Sequence, residues 1–257
     1  RDYYASRGLG DVYKRQLSVY IGIPFCPTRC AYCSFVSQSI ERFGEFLPAY
    51  LDALLREIAH TGALLKNSGF HIRTLYMGGG TPTTLTAEQM DRLLTRLERS
   101  FDFTSLAEST IEAGRPDTID PEKLAVLRAH GVTRVSVNPQ TMEDRVLAAI
   151  GRRHVSADTV RAMELVRAYR FPHVNMDLIA GLPGDTVEGF EKSLRQAIAL
   201  DPENITVHTL TLKRASRIVI EDQKENDYAD VAAMLEKCQL LADAGYRPYY
   251  LYRQKNT

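Results

Sequence analysis

The sequence has no tryptophan, only four cysteines among 257 residues, and no excess of either charge: 32 lysines and arginines stand against 32 aspartates and glutamates. Each shortage excludes something. The charge balance leaves no basic footprint for nucleic acid or for an anionic membrane surface. No apolar run approaches the roughly 20 residues that a membrane span requires. No stretch has the charged, apolar and small-residue order of a secretory signal. Four cysteines are too few for a disulfide framework in a chain of this size, so a reducing, cytoplasmic setting is expected. The length suffices for one large α/β domain with a buried core.

The first residues follow no period. Residues 11–16, "DVYKRQ", match the translated end of a transposon adaptor used in sequencing libraries. Residues 1–16 are therefore expected to be an artefact or a disordered arm, and residues 17–257 the folded core. From residue 18 onward, short β-branched runs alternate with amphipathic helical patterns. Strands are expected at 18–23, 73–78, 109–114, 134–140, 174–181 and 204–210, and helices at 46–66, 86–99, 121–130, 156–170, 186–199 and 228–244. Thr86 with Gln89 forms a capping-box pattern, Asp120-Pro121 reads as N-cap and first turn, and Gly131 and Gly245 fit helix C-termini.

Six βα units in a row require a parallel sheet with right-handed crossovers. The strands read as near-continuous apolar runs, as when both faces are covered. A doubly wound sheet and an open barrel both fit this order. Polar and glycine signatures recur at successive strand C-termini, the rim that carries barrel active sites, and so favour an open, TIM-like (β/α)6 barrel.

Three of the four cysteines lie in one stretch of eight residues, "CPTRCAYC": Cys26, Cys30 and Cys33. The spacing is one ligand short of a structural zinc site, for which His154 is a conceivable fourth. Three thiolates on a [4Fe–4S] cluster instead leave one iron open to a small molecule, which accounts for three. Cys238 sits in a helical pattern and reads as a buried, inert thiol. "YMGGGTPTTL" lacks the Gly-Lys-Ser/Thr of a Walker loop and the spacing of a dinucleotide fingerprint. Its glycines permit close backbone approach to a ligand, or simply a tight turn. Glu112 and Asp177 stand in apolar strands, where a carboxylate is costly without a partner. A salt bridge with Arg115 would satisfy Glu112, and a solvated helix position would explain Arg152.

"YIGIPFCPTRCAYCSF" resembles the signature of the radical S-adenosylmethionine family, in the version carried by oxygen-independent coproporphyrinogen III dehydrogenases and their paralogues. The resemblance extends from residue 18 to the end. It implies a [4Fe–4S] cluster on Cys26, Cys30 and Cys33, whose open iron chelates S-adenosylmethionine and yields a 5′-deoxyadenosyl radical. It further implies that Gly79, Gly80 and Thr81 contact the methionine end of the cofactor. Glu112, Gln140, Arg152 and Asp177 would supply polar contacts, and Thr211 would offer backbone to the adenine. Tyr20 would lie near cluster and substrate.

The activity so implied is oxidative decarboxylation of the propionates of coproporphyrinogen III to vinyl groups, giving protoporphyrinogen IX. A reducing partner such as flavodoxin or ferredoxin would supply electrons. Arg29, Lys213 and Arg214 are candidates to bind the propionates. Two departures qualify the resemblance: Gly22 and Phe35 stand where the dehydrogenases carry histidine and a further cysteine. The combination of "YIGIPFC", "EAGRPDTI" and "SVNPQT" is most similar to the HemZ-like branch, which is longer at both ends, so the core is expected to stop before a C-terminal domain. The alternative reading is a haem-binding chaperone that keeps the cluster without the dehydrogenase reaction. A radical enzyme acting on tRNA and a zinc-structured α/β protein are further alternatives.

Overall fold

Helix and strand signals alternate, and so do the elements. The computed structural model describes residues 15–33, 38–210 and 228–250. Six strands form one sheet: β1 (Gln16–Ile23), β2 (His71–Gly79), β3 (Glu108–Glu112), β4 (Arg134–Ser136), β5 (His173–Ala180) and β6 (Asn204–Thr209). Every neighbouring pair is parallel and the spatial order is the chain order, which makes the open (β/α)6 barrel and excludes the doubly wound arrangement. Among the described residues β1 and β6 are the two edges and do not meet.

The crossover helices are α1 (Leu47–Leu65), α2 (Ala87–Ser100), α3 (Pro121–Ala129), α4 (Asp144–Ala149), α5 (Ser156–Ala168) and α6 (Val187–Ala199). Two further helices, α7 (Tyr228–Glu236) and α8 (Gln239–Asp243), follow β6. The expected caps are present. Thr86 Oγ1 accepts from Gln89 N–H at 3.2 Å while Gln89 Oε1 accepts from Thr86 N–H at 3.0 Å. Asp120 Oδ1 accepts from Lys123 N–H at 2.8 Å, and Gly131 takes φ 67° beyond α3. On α2, Met90, Leu93, Leu94 and Leu97 are buried in the core; each such side chain contributes roughly 1.5–3 kcal/mol.

Four expectations need correction. Gln16 pairs with His71, so β1 begins inside the segment expected to be unstructured. The 134–140 run makes only three residues of strand, because Pro139 has no N–H for the ladder and Gln140 turns to φ 71°. The helix expected at 228–244 is two helices, since Lys237 N–H and Cys238 N–H bond back three residues, to Met234 O and Leu235 O, and tighten the turn. The strands are not apolar on both faces. Val174, Met176, Leu178 and Ala180 are buried on one face of β5, and Asn175 and Asp177 line a cavity on the other. β3, β4 and β6 alternate in the same way, because the barrel interior is a polar well.

Candidate active site

The cysteine loop leaves β1 at its C-terminal end. Phe25 and Cys26 make a two-residue parallel bridge with Gln38 and Ser39. A turn then closes with Cys33 N–H donating to Cys30 O at 3.1 Å. The loop is docked on the turn after α4: Ala31 N–H donates to Ile150 O at 3.0 Å, and Thr28 Oγ1 to Gly151 O at 3.0 Å. Cys30 is buried, whereas Cys26 and Cys33 are partly exposed, and all three line one cavity of about 850 Å³. Burial pushes the Cys30 thiol up. The charges of Arg152 and Arg115, with hydrogen bonds from Tyr32 and Arg152, outweigh that and hold it below its ordinary value. The loop thus favours a thiolate, the form that ligates metal.

The glycine turn after β2 packs directly on this loop. Gly80 N–H donates to Ile23 O and Thr81 N–H to Phe25 O, both at 2.8 Å, and Thr81 Oγ1 lies 3.4 Å from Cys26 Sγ. A Cβ on Gly80 would stand 2.6 Å from Phe25 O and 3.0 Å from Cys26 Sγ, so this position has room only for glycine. Gly79 adopts φ 107°, also a glycine conformation.

Glu112 ends β3 and accepts the hydroxyl of Tyr76 from β2. Burial, joined by the charge of Asp177, raises the Glu112 carboxyl above its usual range, although the bonds from Tyr76 and Gly79 N–H hold it back. Arg115 is therefore not its partner: the guanidinium turns to the cysteine loop and bonds Thr28 O at 2.7 Å and Thr28 Oγ1. Gln140 N–H donates to Asp177 O at 2.9 Å and Gln140 O accepts from Ile179 N–H at 2.8 Å, which seats it across β5. Arg152 is 9% exposed, not a solvated arginine; Nη1 bonds Asn138 O at 2.7 Å and Gly114 O at 3.2 Å, and Nη2 bonds Tyr32 Oη at 3.3 Å. Asp177 accepts from Asn175 Nδ2 at 2.7 Å and lies 3.9 Å from His208 Nε2, whose ring it raises.

Cys26, Cys30, Cys33, Gly79, Gly80, Thr81, Glu112, Gln140, Arg152 and Asp177 all line the one cavity. Tyr20 does not; it is 61% exposed and stacks on Tyr76 with ring centroids 5.9 Å apart. Thr211, Lys213 and Arg214 lie outside the described residues. Arg29 is exposed on the cysteine loop. His154 is buried 3.8 Å from Asp117 and is not among the lining residues, which removes the fourth ligand that the zinc reading needed. Cys238 packs against the core, and burial pushes its thiol up, as for an inert cysteine.

Sequence reasoning missed Tyr76, Arg115, Asn138 and Asn175 as lining residues; of the two histidines that could face the barrel mouth, His208 lines the cavity and His154 does not. For Asn138, Asn175 and His208 the signal is the two-residue period: Ser136 with Asn138, Asn175 with Asp177, Thr206 with His208.

The donor set fits the group that three thiols imply. Asn138 Oδ1 and Arg115 Nη1 are buried at the wall with no hydrogen-bond partner among the described residues, as in a site completed by a ligand. Among the described residues no three His, Cys, Asp or Glu side chains gather around one ion; a cluster that gives each thiol its own iron needs no such gathering.

An open parallel barrel with a three-thiol loop at the C-terminal mouth of β1 defines an enzyme class built to hold an iron–sulfur cluster beside a small cofactor. The Radical SAM superfamily profile matches residues 20–197, and the chain belongs to that family. Membership brings a [4Fe–4S] cluster and S-adenosylmethionine as cofactors. The chain is 46% identical over 256 residues to the oxygen-independent coproporphyrinogen-III oxidase-like protein HemZ of Bacillus subtilis, covering 96% of this chain and 50% of that protein. It is 38% identical to the heme chaperone HemW of Bacillus subtilis, over 76% of this chain and 51% of the relative. Among solved structures, coproporphyrinogen III oxidase (HemN) from Escherichia coli superposes with a TM-score of 0.81 at 30% identity, covering 91% of this chain and 54% of its own. The chain spans about half the length of these relatives. No described helix is long and apolar enough to cross a membrane.

Proposed function

We propose that the chain is the catalytic core of a porphyrinogen-oxidising radical enzyme, which removes carbon dioxide from propionate side chains of coproporphyrinogen III and leaves vinyl groups. One observation carries this reading: Cys26, Cys30 and Cys33 share a cavity with Glu112, Gln140, Arg152 and Asp177, residues brought from separate βα units. The bound cluster and S-adenosylmethionine supply hydrogen-abstracting radical chemistry.

The protein's own residues would bind and orient. Gly79, Gly80 and Thr81 leave room beside Cys26 for the methionine end of the cofactor. Glu112 and Asp177 place two carboxylates where hydroxyls and an ammonium need acceptors. Gln140 presents a carboxamide from a backbone fixed on β5, and Arg152 holds the wall behind Cys30. The stacked Tyr20 and Tyr76 form an aromatic face at the β1–β2 side. Each round removes one hydrogen atom, one carboxyl group as carbon dioxide and one electron from the substrate. Arg29, Lys213 and Arg214 are proposed to meet the remaining propionates, and a flavodoxin- or ferredoxin-type donor to reduce the cluster. The setting is proposed to be cytoplasmic.

A haem-chaperone role is the second reading, favoured by Phe35, since the further cysteine expected of the dehydrogenases is absent at that position. Anaerobic reconstitution with iron and sulfide, then dithionite, S-adenosylmethionine and coproporphyrinogen III, separates them. Substrate-stimulated 5′-deoxyadenosine with protoporphyrinogen formation supports the oxidative reading. Cofactor cleavage without decarboxylation, together with haem binding, overturns it in favour of the chaperone.

A further inference from the structure

A salt bridge to Glu112 was the plain alternative for Arg115, and the guanidinium turns elsewhere. Its side chain is 3% exposed, yet among the described residues no carboxylate pairs with it. Nη2 is spent on Thr28 O and Thr28 Oγ1, between the first two cysteines of the loop, and Nη1 is buried with no hydrogen-bond partner among the described residues. A buried guanidinium with two neutral acceptors is short of a counter-charge. Arg115 lines the same cavity as Cys26, Cys30 and Cys33, so the missing anion belongs there. In a cluster held by three thiolates, the thiolate charge outweighs that of the dicationic core, and the site becomes more anionic on reduction.

We propose that Arg115 is a positioning residue with two linked roles: it docks the cysteine loop through Thr28, and its charge favours the reduced state of the cluster that the loop holds. This rests on the reading of the cysteines as cluster ligands, and the experiment keeps the two apart. A fixed cation beside an anionic redox centre stabilises the state with the extra electron, and hydrogen bonds to sulfur act in the same direction. Removing the cation lowers the reduction potential. Removing the Thr28 hydroxyl, which accepts from Arg115 and donates to Gly151 O, loosens the loop and leaves the charge in place.

The test is a redox titration of the reconstituted protein, followed by electron paramagnetic resonance and absorbance, with iron and sulfide analysis and circular dichroism of the apo chain. At a poise that half-reduces the wild type, Arg115→Gln is expected to show about a tenfold lower reduced-to-oxidised ratio, a one-electron shift of about 59 mV. Arg115→Lys keeps the charge and is expected within threefold of wild type. Thr28→Val is expected to bind less iron at an unchanged potential. Should Arg115→Gln fail to fold, Arg115→Lys against Thr28→Val still decides: both must hold the wild-type potential. An Arg115→Gln cluster with the wild-type potential, or a Thr28→Val potential as low as that of Arg115→Gln, overturns the inference and leaves the cluster reading intact. A wild-type chain that takes up no iron and sulfide overturns the cluster reading itself.

Discussion

The hydroxyl of Tyr76 donates to Glu112 across two neighbouring strands and, with the N–H of Gly79, holds one of the two carboxylates at the mouth of the barrel. Burial and Asp177 push the Glu112 carboxyl up, and the bond from Tyr76 opposes that rise. The sign follows from linkage: a carboxyl whose folded value is raised contributes stability below its unfolded value and loses it as pH rises through the folded one. Tyr76→Phe should raise that value further. We expect S-adenosylmethionine affinity of the reconstituted protein to fall about five- to tenfold at neutral pH, roughly 1 kcal/mol. The deficit should narrow as pH rises, the direction that a raised carboxyl requires. Calorimetric titration at three pH values tests this, and an affinity equal to wild type at all three would sink it.

Glycine at position 80 is required by contact, whereas glycine at position 131 is required only by conformation. A Cβ on Gly80 meets Phe25 O, Ile23 O and Cys26 Sγ, and two of those atoms are backbone. Gly80→Ala should cost about 1–3 kcal/mol and, more tellingly, reduce the iron bound, because it forces the glycine turn off the cysteine loop. Nothing lies within 4 Å of a Cβ on Gly131, where φ is 67°. Gly131→Ala should cost about 1 kcal/mol from left-handed backbone alone, with full iron content. Urea unfolding and iron analysis of both variants settle the contrast; full iron content in Gly80→Ala would contradict it.

His154 sets an acid limit on the fold. Burial, with the charges of Arg152 and Arg115 outweighing those of Asp117 and Asp158, pushes its imidazole down to about 4. Both ring nitrogens are buried without a hydrogen-bond partner among the described residues, so the neutral ring is the one the fold accepts. A histidine depressed in the folded state contributes stability above its unfolded value of about 6.5, and loses it as pH falls toward the folded one. Melting temperatures measured from pH 7.5 to 4.5 should fall less steeply for His154→Phe than for wild type. Parallel slopes would mean that another group governs acid unfolding.

These variants also show what was legible beforehand. Order, parallel connection and helix caps were readable, because Thr86, Asp120 and Gly131 act through local chemistry within a few residues. The three cysteines and the glycine turn were readable because each motif is contiguous. The wall of the well was not. Tyr76 and Asn175 lie on different strands and Asn138 just past β4, and each looks ordinary until the sheet sets them around one well. The role of Arg115 was hidden for the same reason: Glu112 is near in sequence and offered a plain alternative, but the partner of Arg115, Thr28, is 87 residues away. Position 140 was legible as a candidate but not as a bend, since nothing local announces a glutamine at positive φ.

That bend gives the sharpest separation between fold and function. Gln140 sits at φ 71° with its N–H and C=O both engaged on β5, through Asp177 O and Ile179 N. A non-glycine residue held there costs about 1–2 kcal/mol. Glycine relieves that strain and gives back roughly 0.5–1 kcal/mol through the freedom of the unfolded chain. Gln140→Gly should therefore be as stable as wild type to within about 1 kcal/mol, whereas Gln140→Ala keeps the strain and lacks the side chain. If the carboxamide serves the cofactor, both variants should bind S-adenosylmethionine about tenfold more weakly despite their different stabilities. Denaturant midpoints and cofactor affinities measured on the same preparations test both halves. Wild-type affinity in Gln140→Ala would show that the strained backbone is kept for the barrel and not for the cofactor.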